Sequence, residues 1–318
     1  MTTKQHREIY NKNLLHPWGD LSELGNDESS SVIVKGKGIH IFDSDGNKMI
    51  DGPAGMWCMQ TGYGRKEIAD AVSKQILSLS YATSFTLIND KETELAKRIS
   101  EQTPGDLNRI YFTTGGSTAV DSALRLCQLA NNIKGARSKK QIITREKAYH
   151  GSTYLSASVT GKERDKTAMD VKREGIHFLK APCHFYYPEF DNEDDFCDFL
   201  INELEEKIIE IGPENIMAFI AEPILAIGGV IVPRKNYNYR CWEVVKRYNI
   251  IYIADEVVTA FGRLGYWFAS EHVFGIIPDI IIFAKGITSG YIPMGGYAVS
   301  EKFMSTFSGD EADGCLYS

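Results

Sequence analysis

Asp279-Ile280-Ile281-Ile282-Phe283-Ala284-Lys285-Gly286 is the stretch on which the fold turns. Its apolar run is compact and flanked by polar residues. Two more such runs lie upstream, at Ile216–Ala221 and at residues 250–254, the second followed by Asp255-Glu256. Runs of this kind suit strands buried on both faces of a mostly parallel sheet. Working outward, residues 109–112, 141–144 and 177–179 read as further strands. Residues 65–79, 90–101, 117–130 and Glu193–Ile211 read as helices, the last ended by Gly212-Pro213. Strand-then-helix repetition predicts an α/β domain with a mostly parallel, doubly wound central sheet. In such a sheet ligands bind at the carboxyl ends of the strands, so reactive residues are expected just past the apolar runs. Ahead of this pattern, residues 32–35, 39–43 and 48–51 read as short strands, with Asp45-Gly46 as the hairpin turn between the last two.

Composition narrows the function. The chain has 318 residues, 43% hydrophobic and 24% charged, which is enough apolar material for a sizeable core. Acidic residues outnumber basic ones, 42 to 35, and the net charge of −7 argues against non-specific nucleic-acid binding. Residues 1–18 lack the apolar core of a signal peptide, and the most apolar stretch, residues 276–284, is far too short to span a bilayer. Six cysteines at irregular spacing, with no C-x-x-C, fit a reducing cytoplasm. Cys183-His184 is the only Cys/His adjacency, and without a second ligand pair nearby no metal site is expected.

Three strand ends carry unusual residues. After residues 109–112 comes Thr113-Thr114-Gly115-Gly116-Ser117-Thr118-Ala119, opening a helix. Glycines let the backbone approach an anion, and free N–H groups at a helix start favour a phosphate. After residues 250–254 comes Asp255, a carboxylate that needs a cationic partner if buried. Beyond Ala284 comes Lys285; partial burial lowers a lysine's pKa and makes it a nucleophile towards a carbonyl. Each has a plainer explanation when read alone: a turn that merely starts a helix, a capping or ion-paired aspartate, a lysine that snorkels outwards. Taken together, a phosphate cradle, a carboxylate and a lysine at the strand ends of one sheet match what pyridoxal phosphate requires.

With these motifs the sequence resembles the class III (ω-amino acid) aminotransferases of fold type I. The likeness runs from Leu15 to the last residue. It rests on Asp51-Gly52-Pro53-Ala54-Gly55-Met56-Trp57, Gly115-Gly116-Ser117 with Ala119-Val120-Asp121, and Tyr149-His150-Gly151-Ser152-Thr153. Glu222-Pro223 with Gly228-Gly229, Asp255-Glu256-Val257 with Phe261-Gly262-Arg263, and Lys285-Gly286 complete it. The resemblance implies pyridoxal 5'-phosphate as cofactor, Lys285 as the Schiff-base lysine and Asp255 as the partner of the pyridine nitrogen. Gly115, Gly116 and Ser117 would hold the phosphate. Tyr149 would stack on the ring, His150 would adjoin it, and Val257 would pack on the other face. Glu222 would lie near the ring hydroxyl. Trp57, Phe85 and Tyr154 would wall the substrate pocket. An amine or amino acid donor would displace Lys285, whose freed amine moves the donor's α-proton, and an oxo acid such as pyruvate would take the amino group by the reverse path. A homodimer is implied as well.

Two departures stand out. The stretch after Glu222-Pro223 often reads Gln-Gly-Ala-Gly-Gly in this family; here it is Leu225-Ala226-Ile227-Gly228-Gly229, and Ile227 would narrow one side of the pocket. The chain also stops at Gly314-Cys315-Leu316-Tyr317-Ser318, where relatives continue. The expected organisation is therefore an N-terminal segment of a small domain (residues 1–55) and a large cofactor-binding domain (residues 56–318), the C-terminal part of the small domain being absent. The threonine that reaches across the dimer to the other cofactor phosphate would be missing, with Leu316 a candidate for its place. The N-terminal hairpin would then expose apolar surface. An inactive remnant that binds the cofactor weakly, or only associates with full-length subunits, is the alternative. A serine hydrolase fits poorly, since Ala119 stands where a nucleophile elbow needs glycine. A P-loop fails because Glu163 follows Gly161-Lys162.

Overall fold

The computed structural model describes residues 1–309, Ala312 and Tyr317; Leu316, the candidate for the missing threonine's place, lies outside the described residues. The chain divides into two units, Met1–Tyr81 and Ala82–Ser318.

The first unit opens with a helix, Thr3–Asn13, that the sequence reading did not include; a capping box between Thr2 and Gln5 starts it. Then come β1 (Ile33–Lys37), β2 (His40–Asp43) and β3 (Lys48–Ile50), an antiparallel sheet in that order. The expected Asp45-Gly46 turn joins β2 to β3. Gly46 takes a φ of 88°, and the Asp43 carboxylate accepts from the backbone N–H of Asp45 and Asn47. A helix, Lys66–Ser78, follows. Between them Ala54, Gly55, Met56 and Trp57 all take positive φ, three of them without glycine's freedom. Such strain costs about 1–3 kcal/mol per residue and collects at functional segments.

The second unit is built on a seven-stranded sheet. Its strands are β4 (Arg109–Thr113), β5 (Gln141–Arg145), β6 (Ile176–Leu179), β7 (Ile216–Ala221), β8 (Ile251–Asp255), β9 (Ile280–Phe283) and β10 (Gly295–Val299). They lie in the order β4-β10-β9-β8-β7-β5-β6. All pairings from β9 to β6 are parallel, whereas β10 runs antiparallel to both β4 and β9. Side chains alternate between two apolar layers, as the strand period demands. Ile280, Ile282 and Ile253 pack with Ala119, Val120 and Leu124 of the helix Gly116–Ile133. Ile281, Phe283 and Tyr252 pack with Leu200 and Leu204 of the helix Glu193–Ile211 and Val244 of the helix Tyr237–Arg247. The sheet is thus covered on both faces, the arrangement that makes its strands read as unbroken apolar runs.

Candidate active site

Strands β4, β9, β8 and β7 end, and the antiparallel β10 begins, at one edge of the sheet, and the singled-out residues stand there. The register sets Thr113 of β4 opposite Gly295 of β10, Gly296 opposite Phe283 of β9, Asp255 of β8 beside Ile282, and Ala221 of β7 beside Ala254.

Past β4, Gly115 is the N-cap of the helix Gly116–Ile133 and offers no side-chain cap to its first N–H groups. The Gly115 carbonyl is fixed by the Thr113 and Thr118 hydroxyls at 3.0 and 2.9 Å and by the Ala119 N–H. Ser117 is tied to the loop after β5: its Oγ accepts from the Ser152 N–H at 3.1 Å, and its carbonyl accepts from the Thr153 hydroxyl. Close approach requires the glycines. A Cβ on Gly116 would press on Val257 at 3.2 Å and meet Ala284 at 3.6 Å; one on Gly295 would stand 2.6 Å from the Gly115 backbone.

Past β8, Asp255 is buried, and its partner is His150, whose Nδ1 lies 2.7 Å from Asp255 Oδ2. The other Asp255 oxygen accepts from the Val257 N–H at 3.2 Å. His150 Nε2 is buried and makes no hydrogen bond. Glu256, next in sequence, is fully buried and turned to a structural task. Its carboxylate accepts from the Thr259 and Ser270 hydroxyls and from the N–H groups of Ala269 and Ser270, tying the loop after β8 to the helix Ala269–Phe274.

Past β7, the buried Glu222 accepts from the Tyr149 N–H at 2.8 Å and from the Ala226 N–H at 3.0 Å. Burial pushes its carboxyl up to about 7; the nearby Asp255 charge pushes the same way, and His150, the Tyr149 N–H and Arg145 oppose it. Tyr149 is half-buried, and burial raises its phenol. Ile227 sits half-buried in the turn that Glu222 pins through Ala226. Past β9, Lys285 is half-buried and takes a φ of 46°, left-handed backbone that a lysine adopts only under constraint.

The remaining predicted residues are placed differently. Phe85 is 90% exposed, and Tyr154, at the start of the helix Tyr154–Val159, is 64% exposed. Trp57 belongs to the strained turn of the first unit. One residue of the site escaped the sequence reading: Arg145, the last of β5, which is completely buried and donates to the Glu222 carbonyl. Nothing in a lone arginine before Glu146-Lys147 marked it.

These residues fit pyridoxal phosphate. An uncapped helix start walled by glycines suits a phosphate, and a buried, histidine-paired aspartate suits a protonated ring nitrogen. Lys285 ends the neighbouring strand.

Sheet order and strand-end chemistry define a fold type I α/β enzyme of the pyridoxal-phosphate class. Residues 22–316 match the family Aminotransferase class-III. Putrescine–pyruvate aminotransferase of Pseudomonas aeruginosa is 38% identical, over 99% of this chain and 70% of its own length. Diaminobutyrate–2-oxoglutarate transaminase of Halomonas elongata is 38% identical over 87% of this chain and 60% of its own. Among solved structures, an (S)-enantioselective omega-transaminase from Thermomicrobium roseum matches with a TM-score of 0.94 at 35% identity, covering 100% of this chain and 71% of that one. The omega transaminase of Pseudomonas jessenii in complex with PMP gives 0.92 at 32% identity, covering 96% and 67%. The chain belongs to the class III aminotransferases, a pyridoxal-phosphate-dependent family, and spans 60–70% of the length of the two sequence relatives.

Proposed function

We propose that this protein moves an amino group from an ω-amino acid or amine to an oxo acid such as pyruvate. The observation that carries this reading is the convergence of Lys285, the Asp255–His150 pair and the Gly115–Ser117 loop at one edge of one sheet. Relatives named for putrescine, diaminobutyrate, pyruvate and 2-oxoglutarate support the donor and acceptor classes.

Gly115, Gly116 and Ser117 would hold the phosphate, Tyr149 and Val257 would hold the ring, and Asp255, held by His150, would favour a protonated ring nitrogen. When bound, pyridoxal phosphate supplies the carbonyl that takes up the amine and an electron sink that acidifies the adjacent C–H bond. Lys285 would hold the cofactor's carbonyl carbon through Nζ and, with that amine free, would carry the proton of the substrate carbon. Glu222 orients the Tyr149 and Ala226 backbones around the site. Phe85, Tyr154 and Ile227 are assigned to the substrate pocket. The large unit is assigned to cofactor binding, the N-terminal segment to a small domain, and the working form to a cytoplasmic homodimer. The inactive-remnant alternative has no observation in its favour.

The test is Lys285→Ala, assayed for amine-to-pyruvate transfer. Turnover is expected to vanish, and borohydride treatment of the wild type is expected to fix the cofactor mass on Lys285 by peptide mass spectrometry. Normal transfer by the variant would overturn the assignment.

A further inference from the structure

Arg145 is the anomaly of the site. It is completely unexposed, its Nη2 donates to the Glu222 carbonyl, and its Nε and Nη1 make no hydrogen bond. Among the described residues no carboxylate lies within ion-pair distance of it. Tyr237, from the helix Tyr237–Arg247, is its other neighbour: the ring centroid stands 6.0 Å from the guanidinium carbon, and the phenol interacts with the guanidinium as well. A buried cation without a contacting carboxylate is costly, and one cation–π contact offsets only a fraction of that cost. A backbone carbonyl is a weak reason to bury a guanidinium.

The charges around it supply the reason. Glu222, whose carbonyl Arg145 holds, is a buried carboxyl, and Asp255 is a second one just beyond it. Around Glu222 stand Arg145, the last residue of β5, Tyr149 and His150 from the loop after it, and Asp255 from β8; Tyr237 and Cys241, from the helix Tyr237–Arg247, adjoin Arg145. Of these side chains only Arg145 carries a permanent positive charge. Two carboxyls side by side resist both being ionised unless a positive charge lies near. Arg145 comes from β5, the neighbour of β7 in the sheet, and its side chain is wholly buried. Gly161 makes room for its backbone: a Cβ there would collide with the Arg145 carbonyl.

We propose that Arg145 is a positioning residue, a buried cation that fixes the Glu222 turn and favours the ionised form of the Glu222 carboxyl beside Asp255. Its part in transamination rests on the function proposed above; its coupling to Glu222 does not.

The experiment is a double-mutant cycle on the purified full chain without added cofactor. Arg145→Gln removes the charge but keeps an amide donor, and Arg145→Lys keeps the charge but not the planar fork; each is combined with Glu222→Gln. Loss of the cation makes ionised Glu222 more costly. The melting-temperature deficit of Arg145→Gln is therefore expected to widen by about 3 °C or more between about pH 6 and pH 9. In the Glu222→Gln background the deficit stays constant, and Arg145→Lys recovers most of the widening. A merely structural arginine gives a deficit independent of pH in both backgrounds, and that result overturns the proposal. If Arg145→Gln does not fold, the cycle is read on Arg145→Lys against a Tyr237→Leu variant that strips the cation's packing: a Tyr237→Leu deficit that widens with pH only when Glu222 is present supports the coupling, and parallel lines refute it. With the loaded enzyme, the acid limb of kcat in Arg145→Gln moves up by about one pH unit.

Discussion

Glu222 is the residue whose charge the fold leaves most finely balanced. Its carboxyl is pushed up from an ordinary value of 4.5 to about 7, chiefly by burial. A raised folded-state value means that the native protein binds more protons than the unfolded chain between those limits. The contribution of Glu222 is therefore whole below about pH 4.5 and is lost as pH rises through about 7. At most about 3 kcal/mol is at stake. Melting temperatures across that window check it: wild type is expected to lose several degrees relative to Glu222→Gln between about pH 5 and pH 8, and a constant difference would refute the balance. At this scale the sequence was informative wherever chemistry and position coincide. A lysine and an aspartate directly after buried apolar runs are legible because ordinary cores exclude both. That Asp255 is paired by His150 was not legible, because the two lie far apart in sequence and meet only when β5 and β8 flank β7. Arg145 was hidden for a related reason: a charged residue at a strand end reads as exposed until its neighbours are known.

The strand β10 shows how an element escapes a reading by periodicity. Gly295-Gly296-Tyr297-Ala298-Val299 opens on two glycines, which are depleted in strands and read as a loop. The structure gives both a packing reason. A Cβ on Gly296 would meet the Tyr111 carbonyl at 2.5 Å and the Phe283 ring at 2.9 Å, and one on Gly295 would meet the Gly115 backbone at 2.6 Å. β10 is thus a spacer threaded between β4 and β9, and its first residue buttresses the loop assigned to the phosphate. Gly295→Ala is expected to cost about 1–3 kcal/mol by overpacking and to weaken pyridoxal phosphate binding, because backbone cannot yield as a side-chain tip does. Gly115→Ala is the contrast. That position has extended backbone and open space around an added Cβ, so its melting temperature should stay near wild type. Thermal melts and cofactor titration of the two variants check the pair, and a Gly295→Ala protein that melts like wild type would end the buttress argument. The fully buried strands were legible because their runs are unbroken. The helix Thr3–Asn13, which buries no residue, left no apolar stripe to read.

Over the molecule as a whole, burial is uneven. Unit Ala82–Ser318 holds the two apolar layers, whereas among residues 1–81 only Asp43 is buried. Large apolar side chains there face outward: Leu77 is 85% exposed, and Ile39, Ile50 and Ile76 are exposed too. Apolar surface on this scale marks an interaction face. With the homodimer proposed above, a second copy is its expected cover. Electrostatics works against that association, because each chain carries a net charge of −7 and like-charged copies repel until salt screens them. Self-association driven by apolar burial should therefore strengthen, not weaken, as salt rises from about 0.05 M to about 0.5 M. Sedimentation velocity at several protein concentrations checks this. A dimer that grows with concentration and salt, and that Leu77→Lys shifts towards monomer, is the expected outcome. A chain that stays monomeric at all salts, or whose association salt dissolves, would show that its apolar face has another partner.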